Sequence, residues 1–282
     1  MTAMTIASVS FTIRSSSEYS KIRSHKATLG AFRDGATRLQ TSRHSLRSTP
    51  RRVITNALEP DNLDILVAGG GGVAMDVCKE LKNMGAWVTM MQRTDSRIKS
   101  IQGMLALTHI GDAMDMESVE AAWKNMDDCK IVVSTLGGSP ADPAVDSLGN
   151  INLINAAINN GVERFVLVTS IGTGDSKDAP PPQVYDVLKP VLVEKEKAEA
   201  HLKANADKME FVIIRPGGLK TEPATNKGVL TEDTSICGAI HREDVAKLVC
   251  KACFSDAAKN KTLSAVDSEQ LYGKPDFEVF SL

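Results

Sequence analysis

The 282-residue chain carries little net charge. Its 33 Lys+Arg stand against 35 Asp+Glu, and a balance of −2 argues against a nucleic-acid or anionic-membrane surface spread over the whole molecule. Aromatic residues are scarce, at 4%, beside 42% hydrophobic residues, which fits an aliphatic α/β interior. No uninterrupted apolar run reaches the ~18 to 20 residues of a membrane-spanning helix. Cysteine is sparse, odd in number and scattered (Cys78, Cys129, Cys237, Cys250, Cys253), which points to a reducing compartment and away from a disulfide framework. Cys250 and Cys253 form a C-x-x-C with no second pair, a pattern read as structural rather than as a redox or zinc site. The five histidines (His25, His44, His109, His201, His241) do not pair at metal-ligand spacing, so no metal site is expected.

Acid is what the first 57 residues lack. They hold ten Lys/Arg against Glu18 and Asp34, a charge of +8, and leave residues 58–282 with 23 basic and 33 acidic side chains, net −10. The leader is rich in Ser and Thr and has no apolar core followed by a small-residue cleavage site, so it is not a secretory signal. Its composition is that of an organelle transit peptide, disordered for want of apolar residues to bury. The hydroxyl-rich, β-branched start (Thr2 to Ser10) is a poor amphipathic Arg-helix and favours the plastid over the mitochondrion, with processing near Val53 to Ala57. The alternative is a basic tail for RNA or membrane, against which the lack of interleaved aromatics counts.

From Leu63 onward aliphatic runs alternate with helical patterns. Strands are expected at 63–68, 87–91, 105–110, 130–136, 164–169, 211–215 and 262–266, and helices at 73–84, 117–126, 148–160, 191–204 and 243–254. That alternation predicts an α/β fold with a doubly wound parallel sheet of the Rossmann-like type, one domain over 58–282. Its ligand belongs at the carboxyl ends of the strands.

Gly69-Gly70-Gly71-Gly72 closes the first strand and opens a helix, where bare backbone and a helix N-terminus receive a pyrophosphate. One register uses Gly69, Gly71 and Ala74; another uses Gly69 and Gly72, with Met75 in the third place. The second strand ends in Gln92-Arg93-Thr94 without an acid, which favours the 2′-phosphate of NADP(H) over the free ribose of NAD(H), unless Arg93 is only a solvated strand end. Asp112 and Ala113, after the third strand, stand where a short carboxylate meets adenine or caps a turn. Gly137, after the fourth, is placed where a cofactor passes.

These motifs, with Asn150 to Ala157, Gly161 to Ser170, Lys195 to Glu199, Ile214 to Leu219 and Ile240 to Ala246, resemble the atypical short-chain dehydrogenase/reductases of NmrA-like and flavin-reductase-like type, common in plastids and cyanobacteria. The resemblance spans roughly residues 63–270. It implies an NADP(H) site, with Ser170 facing substrate or nicotinamide, Lys195 holding the nicotinamide ribose, and Pro216 and Gly217 against the nicotinamide face. The reductase mechanism also needs a Tyr phenol four residues before the Lys. Tyr185 and Lys189 have that spacing, but Pro190 follows, and the helix is expected to begin there. In the register of Lys195 the tyrosine position is Val191. Two functions follow by resemblance. One is a stromal chloroplast reductase for a small planar, quinone-like or carbonyl acceptor; the other is a non-catalytic NADPH-binding assembly or regulatory factor for photosynthetic complexes.

Overall fold

The computed structural model describes residues 58–282 apart from positions 62, 127, 274 and 275; the predicted transit peptide lies outside the described residues. Ten strands follow in chain order: β1 (Asp64–Ala68), β2 (Trp87–Gln92), β3 (Leu107–Ile110), β4 (Cys129–Ser134), β5 (Arg164–Val168), β6 (Glu210–Pro216), β7 (Gly218–Lys220), β8 (Gly228–Thr231), β9 (Ala239–His241) and β10 (Lys261–Asp267). The main helices are α1 (Gly72–Asn83), α2 (Ile98–Gly103), α3 (Met116–Glu120), α4 (Asn150–Asn159), α5 (Pro182–Lys203) and α6 (Arg242–Phe254).

Eight strands form one sheet in the order β3-β2-β1-β4-β5-β6-β10-β8, parallel throughout except for β8, which runs antiparallel to β10. Both faces are covered, which is why the central strands read as unbroken apolar runs. Ile65 and Val67 point into a layer with Val77 and Leu81 of α1 and Val245 and Val249 of α6. Their neighbours Leu66 and Ala68 point the other way, against Leu153 and Ile154 of α4 and Ala198 and Leu202 of α5. The doubly wound sheet expected from the alternation is therefore observed. The expectation omitted α2 and three short strands: β8 on the sheet edge, and the parallel pair β7 and β9.

Two local readings are corrected. The helix expected to start near Pro190 starts at Pro182 and passes through Pro190. Pro181 is its N-cap and Pro182 its first residue, where a missing N–H costs nothing. Pro190 forfeits one internal hydrogen bond on a stretch, residues 186–190, that is wholly exposed, so water can take the freed carbonyl. The third strand starts at Leu107 and not at 105, because Leu105 adopts φ +58° in the turn out of α2.

Candidate functional site

β1 and β4 are neighbours in the sheet, with β2 and β3 to one side and β5 and β6 to the other, so the winding reverses between them. Doubly wound sheets bind ligands beyond that reversal. The two strand ends meet closely: Thr135 N–H donates to the Ala68 carbonyl at 2.9 Å, and a Cβ on Gly69 would stand 2.3 Å from Thr135 Oγ1. Gly69 also has φ +131°, a conformation that only glycine adopts easily.

Beyond this point lies a cavity of about 780 Å³, lined by Gly69, Gly71, Gln92, Arg93, Asp112, Ala113 and Gly137 among others. The glycines divide their tasks. Gly71 is the N-cap of α1, and a Cβ there would meet only open space, so the backbone stands free for a ligand. A Cβ on Gly72 would stand 2.8 Å from Cδ of Arg242, so that glycine makes room for an arginine from the last third of the chain. Ala74 is fully buried between helix and sheet. The first turn of α1 carries no acid, which leaves its positive end uncompensated for an anion.

The walls fit a dinucleotide. Gln92 is 5% exposed, and its Nε2 is buried without a hydrogen-bond partner among the described residues. An orphan donor beside a glycine turn is satisfied by a phosphate or ribose oxygen. Arg93 is exposed on the same cavity, with Thr94 and Ser96, whose hydroxyls lie 3.0 Å apart. Asp112 lines the cavity, and its Oδ1 caps the turn by accepting from Met114 N–H at 2.9 Å.

A second cavity of about 260 Å³ adjoins the first through the shared residues Thr135, Leu136 and Gly137. Ser170, Val191, Lys195 and Pro216 line it. Tyr185 is half-buried and outside the lining of either cavity, although it is on the same helix as Lys195. Gly217 does not line either cavity; its missing side chain accommodates the Gly238 carbonyl, 2.2 Å from where a Cβ would stand. The smallness of Gly217 thus serves the close approach of its own backbone to Gly238.

Lys195 is 9% exposed and forms a 2.6 Å ion pair with the fully buried Asp146, whose other oxygen accepts from Gly138 N–H at 2.8 Å. Sequence reading missed Asp146. Of the glutamates beside Lys195 on α5, Glu194 pairs with Lys197 at 2.5 Å and Glu199 with Lys203 at 3.8 Å. Asn150 extends the network, donating to the Asp146 carbonyl at 2.9 Å and accepting from Ser134 at 2.6 Å. One turn beyond Lys195, Glu199 binds Arg215 of β6 through both oxygens, at 3.0 and 2.6 Å, and accepts from Thr169 at 2.7 Å. This buried bidentate pair ties α5 to the strand ends that carry Ser170 and Pro216.

Away from these cavities, His241, Asp244 and Asp267 converge as the only cluster of potential metal ligands among the described residues. Each carboxylate oxygen already accepts a hydrogen bond, from Asn226 N–H, Thr225 N–H, Glu269 N–H or the Thr225 hydroxyl, so the cluster pins the 225–226 turn. The C-x-x-C is buried, and burial pushes Cys253 up to about 12 and Cys250 well above its ordinary value.

Among known proteins, the chain is 33% identical over 150 residues to the chloroplastic protein At2g34460 of Arabidopsis thaliana, covering 50% of this chain and 53% of that one. It is 29% identical over 245 residues to Protein TIC 62, chloroplastic, of the same plant, covering 75% of this chain but 37% of the relative. The chain thus spans about half or less of these two relatives. Among solved structures, ChuY, an anaerobillin reductase from Escherichia coli O157:H7, superposes with a TM-score of 0.66 at 26% identity over 76% of this chain and all of that one. A family model described as NAD(P)H-binding matches residues 69–256, from the glycine turn through α6, and the chain belongs to that family.

Proposed function

We propose that the protein is an NADP(H)-dependent reductase that passes hydride to a small planar, quinone-like or carbonyl acceptor in the chloroplast stroma. The observation that carries this reading is the pair of adjoining cavities, one fitted to a dinucleotide and one holding Ser170 and Lys195. In it, α1 and the backbone at Gly69 and Gly71 hold the pyrophosphate, Gln92 donates to a phosphate or ribose oxygen, and Arg93 pairs with the 2′-phosphate. Lys195, fixed by Asp146, donates to the nicotinamide ribose, and Ser170 orients the acceptor. The bound cofactor supplies the hydride. Val191 stands where a phenol would protonate a carbonyl, so the reading favours acceptors that need little acid catalysis. Stopped-flow oxidation of bound NADPH by flavins, quinones and carbonyls tests it; silence across the panel rejects it.

The same Val191 favours a second reading, a non-catalytic NADPH-binding factor for assembly or regulation of photosynthetic complexes. Tight NADPH binding without any turnover is its signature. Both readings make residues 1–57 a plastid transit peptide, consistent with the chloroplastic relatives. Uptake into isolated chloroplasts, with loss of the leader, tests that assignment.

A further inference from the structure

The smaller cavity opens onto an apolar strip. Val184, Val187, Leu188 and Val191 recur at i, i+3, i+4 and i+7 on the first half of α5 and share one helix face. That face is not buried: Val187 is 65% exposed and Val184 45%. Its inner end is the cavity wall, because Leu188 and Val191 line both. Leu219 of β7, 41% exposed, also lines the cavity. Beside it, Tyr272 brings an exposed ring to Gly218, with its Oη 3.6 Å from where a Cβ would stand. The charged neighbours Asp186 and Lys189 fall off the strip by helical spacing. An uncovered apolar face that runs continuously into a pocket marks a ligand surface. The cavity, at about 260 Å³, is below the ~300 to 1,000 Å³ of sites that enclose a whole drug-sized ligand, so it takes a head group and leaves the rest outside.

We propose that the acceptor is an amphiphile: a conjugated carbonyl or quinone head sits at Ser170 and Lys195, and an uncharged hydrocarbon tail lies along Val191, Leu188, Val187 and Val184. The head's role rests on the reductase reading; the tail's place rests on the strip and its continuity with the cavity. The head takes a hydride from the bound cofactor and a proton from solvent, leaving NADP⁺ and the dihydro head, and the tail takes no part in the electron count.

Equilibrium dialysis of the full chain loaded with NADP⁺, which blocks turnover, compares 2-methyl-1,4-naphthoquinone with the same head bearing a ten-carbon chain. The tail is expected to tighten binding by about tenfold or more, as burial of several methylenes requires. Val187→Asp removes that gain and leaves the untailed head unaffected; Val184→Asp, one turn away, does the same. Equal affinities, failure of both heads to bind, or a gain that survives these substitutions overturns the proposal. So does cosedimentation of the free protein with phosphatidylcholine vesicles that is lost in Val187→Asp, which makes the strip a membrane contact. Flavin-driven oxidation of NADPH, run in parallel, reports the reductase reading separately. Tail-dependent binding without turnover of any acceptor sinks only that reading, and turnover without a tail effect sinks only this one.

Discussion

Lys195 Nζ lies 2.6 Å from Asp146 Oδ1, and the two side chains come from different helical segments that meet under the junction of the two cavities. Neither partner is free to turn toward water, since Asp146 is fully buried and Lys195 nearly so. Asp146→Ala or Lys195→Met strands one buried charge and is expected to cost about 3 to 5 kcal/mol. The double variant Lys195→Met/Asp146→Leu should lose much less than the sum, because no charge is then left unpaired. Urea unfolding of the four proteins measures the coupling, and simple additivity would show that the pair is energetically idle.

Arg93 and Gln92 separate cofactor preference from cofactor affinity. Arg93→Ala is expected to weaken NADPH binding by about ten- to a hundredfold, the worth of a charge-assisted contact, while NADH binding stays unchanged. Gln92→Leu should weaken both cofactors and leave the melting temperature of the cofactor-free protein equal or higher, because it deletes a buried donor that lacks a partner. Fluorescence titration with each cofactor, alongside a melting curve, distinguishes the two roles.

Val191→Tyr sets a phenol four residues before Lys195, on the cavity wall. Reduction of carbonyl acceptors should rise by about a hundredfold, the lower range of general acid catalysis, and quinone or flavin reduction should change little. Tyr185→Phe should leave turnover intact. Turnover abolished by Tyr185→Phe would return the catalytic register to Tyr185 and Lys189.

Acid should unfold the protein through three carboxylates. Burial pushes Asp175, Glu210 and Asp267 up, but their partners more than reverse it: Arg215 for Asp175, Lys259 and Arg164 for Glu210, and the Thr225 hydroxyl, the Glu269 N–H and Gln270 for Asp267. Each therefore holds its proton less tightly when folded than when unfolded. Their stabilisation is complete above the ordinary carboxylate range and is lost as pH falls through the depressed folded values. The melting temperature should be flat from about pH 6 to 5 and drop below about pH 4, with a shallower drop in Asp267→Asn. A melting temperature that rises on acidification contradicts this.

Thiol reagents should find nothing to attack. All five cysteines are buried, and burial holds Cys78 at about 11 and Cys129 and Cys253 at about 12. Labelling at pH 8 should be slow in the folded protein and complete in denaturant; rapid labelling of Cys250 or Cys253 would revive a redox role for the pair.

The strand, glycine turn and first helix are legible in the sequence because a chain buried on both faces must be apolar throughout, and a tight strand exit needs glycine. The joint placement of Ser170, Val191 and Lys195 on one cavity is what the family resemblance implies, since spacing alone offers Tyr185 and Lys189 equally. Asp146 is not legible, because nothing in its own neighbourhood signals a lysine on α5 as partner. Gln92 is passed over because a strand-end amide looks solvated until the sheet buries it. Pro190 misleads because the local rule for proline weighs one lost hydrogen bond as decisive, whereas a helix anchored by Leu192, Ala198 and Leu202 tolerates it on a wet face.

The contact of Arg242 with Gly72 has a bearing on synthesis. The turn that begins the cofactor site is backed by a residue from α6, and Cys250 of that helix reaches the Val77 carbonyl of α1 at 3.7 Å. A nascent chain stopped before Arg242 has made the glycine turn, Gln92 and Arg93, yet it lacks the helix that covers one side of α1. The helix that carries the glycine turn is therefore fully packed only once α6, in the last quarter of the chain, has been made. Any fragment cut between β7 and α6 keeps every residue that lines the two cavities and loses the helix that backs α1.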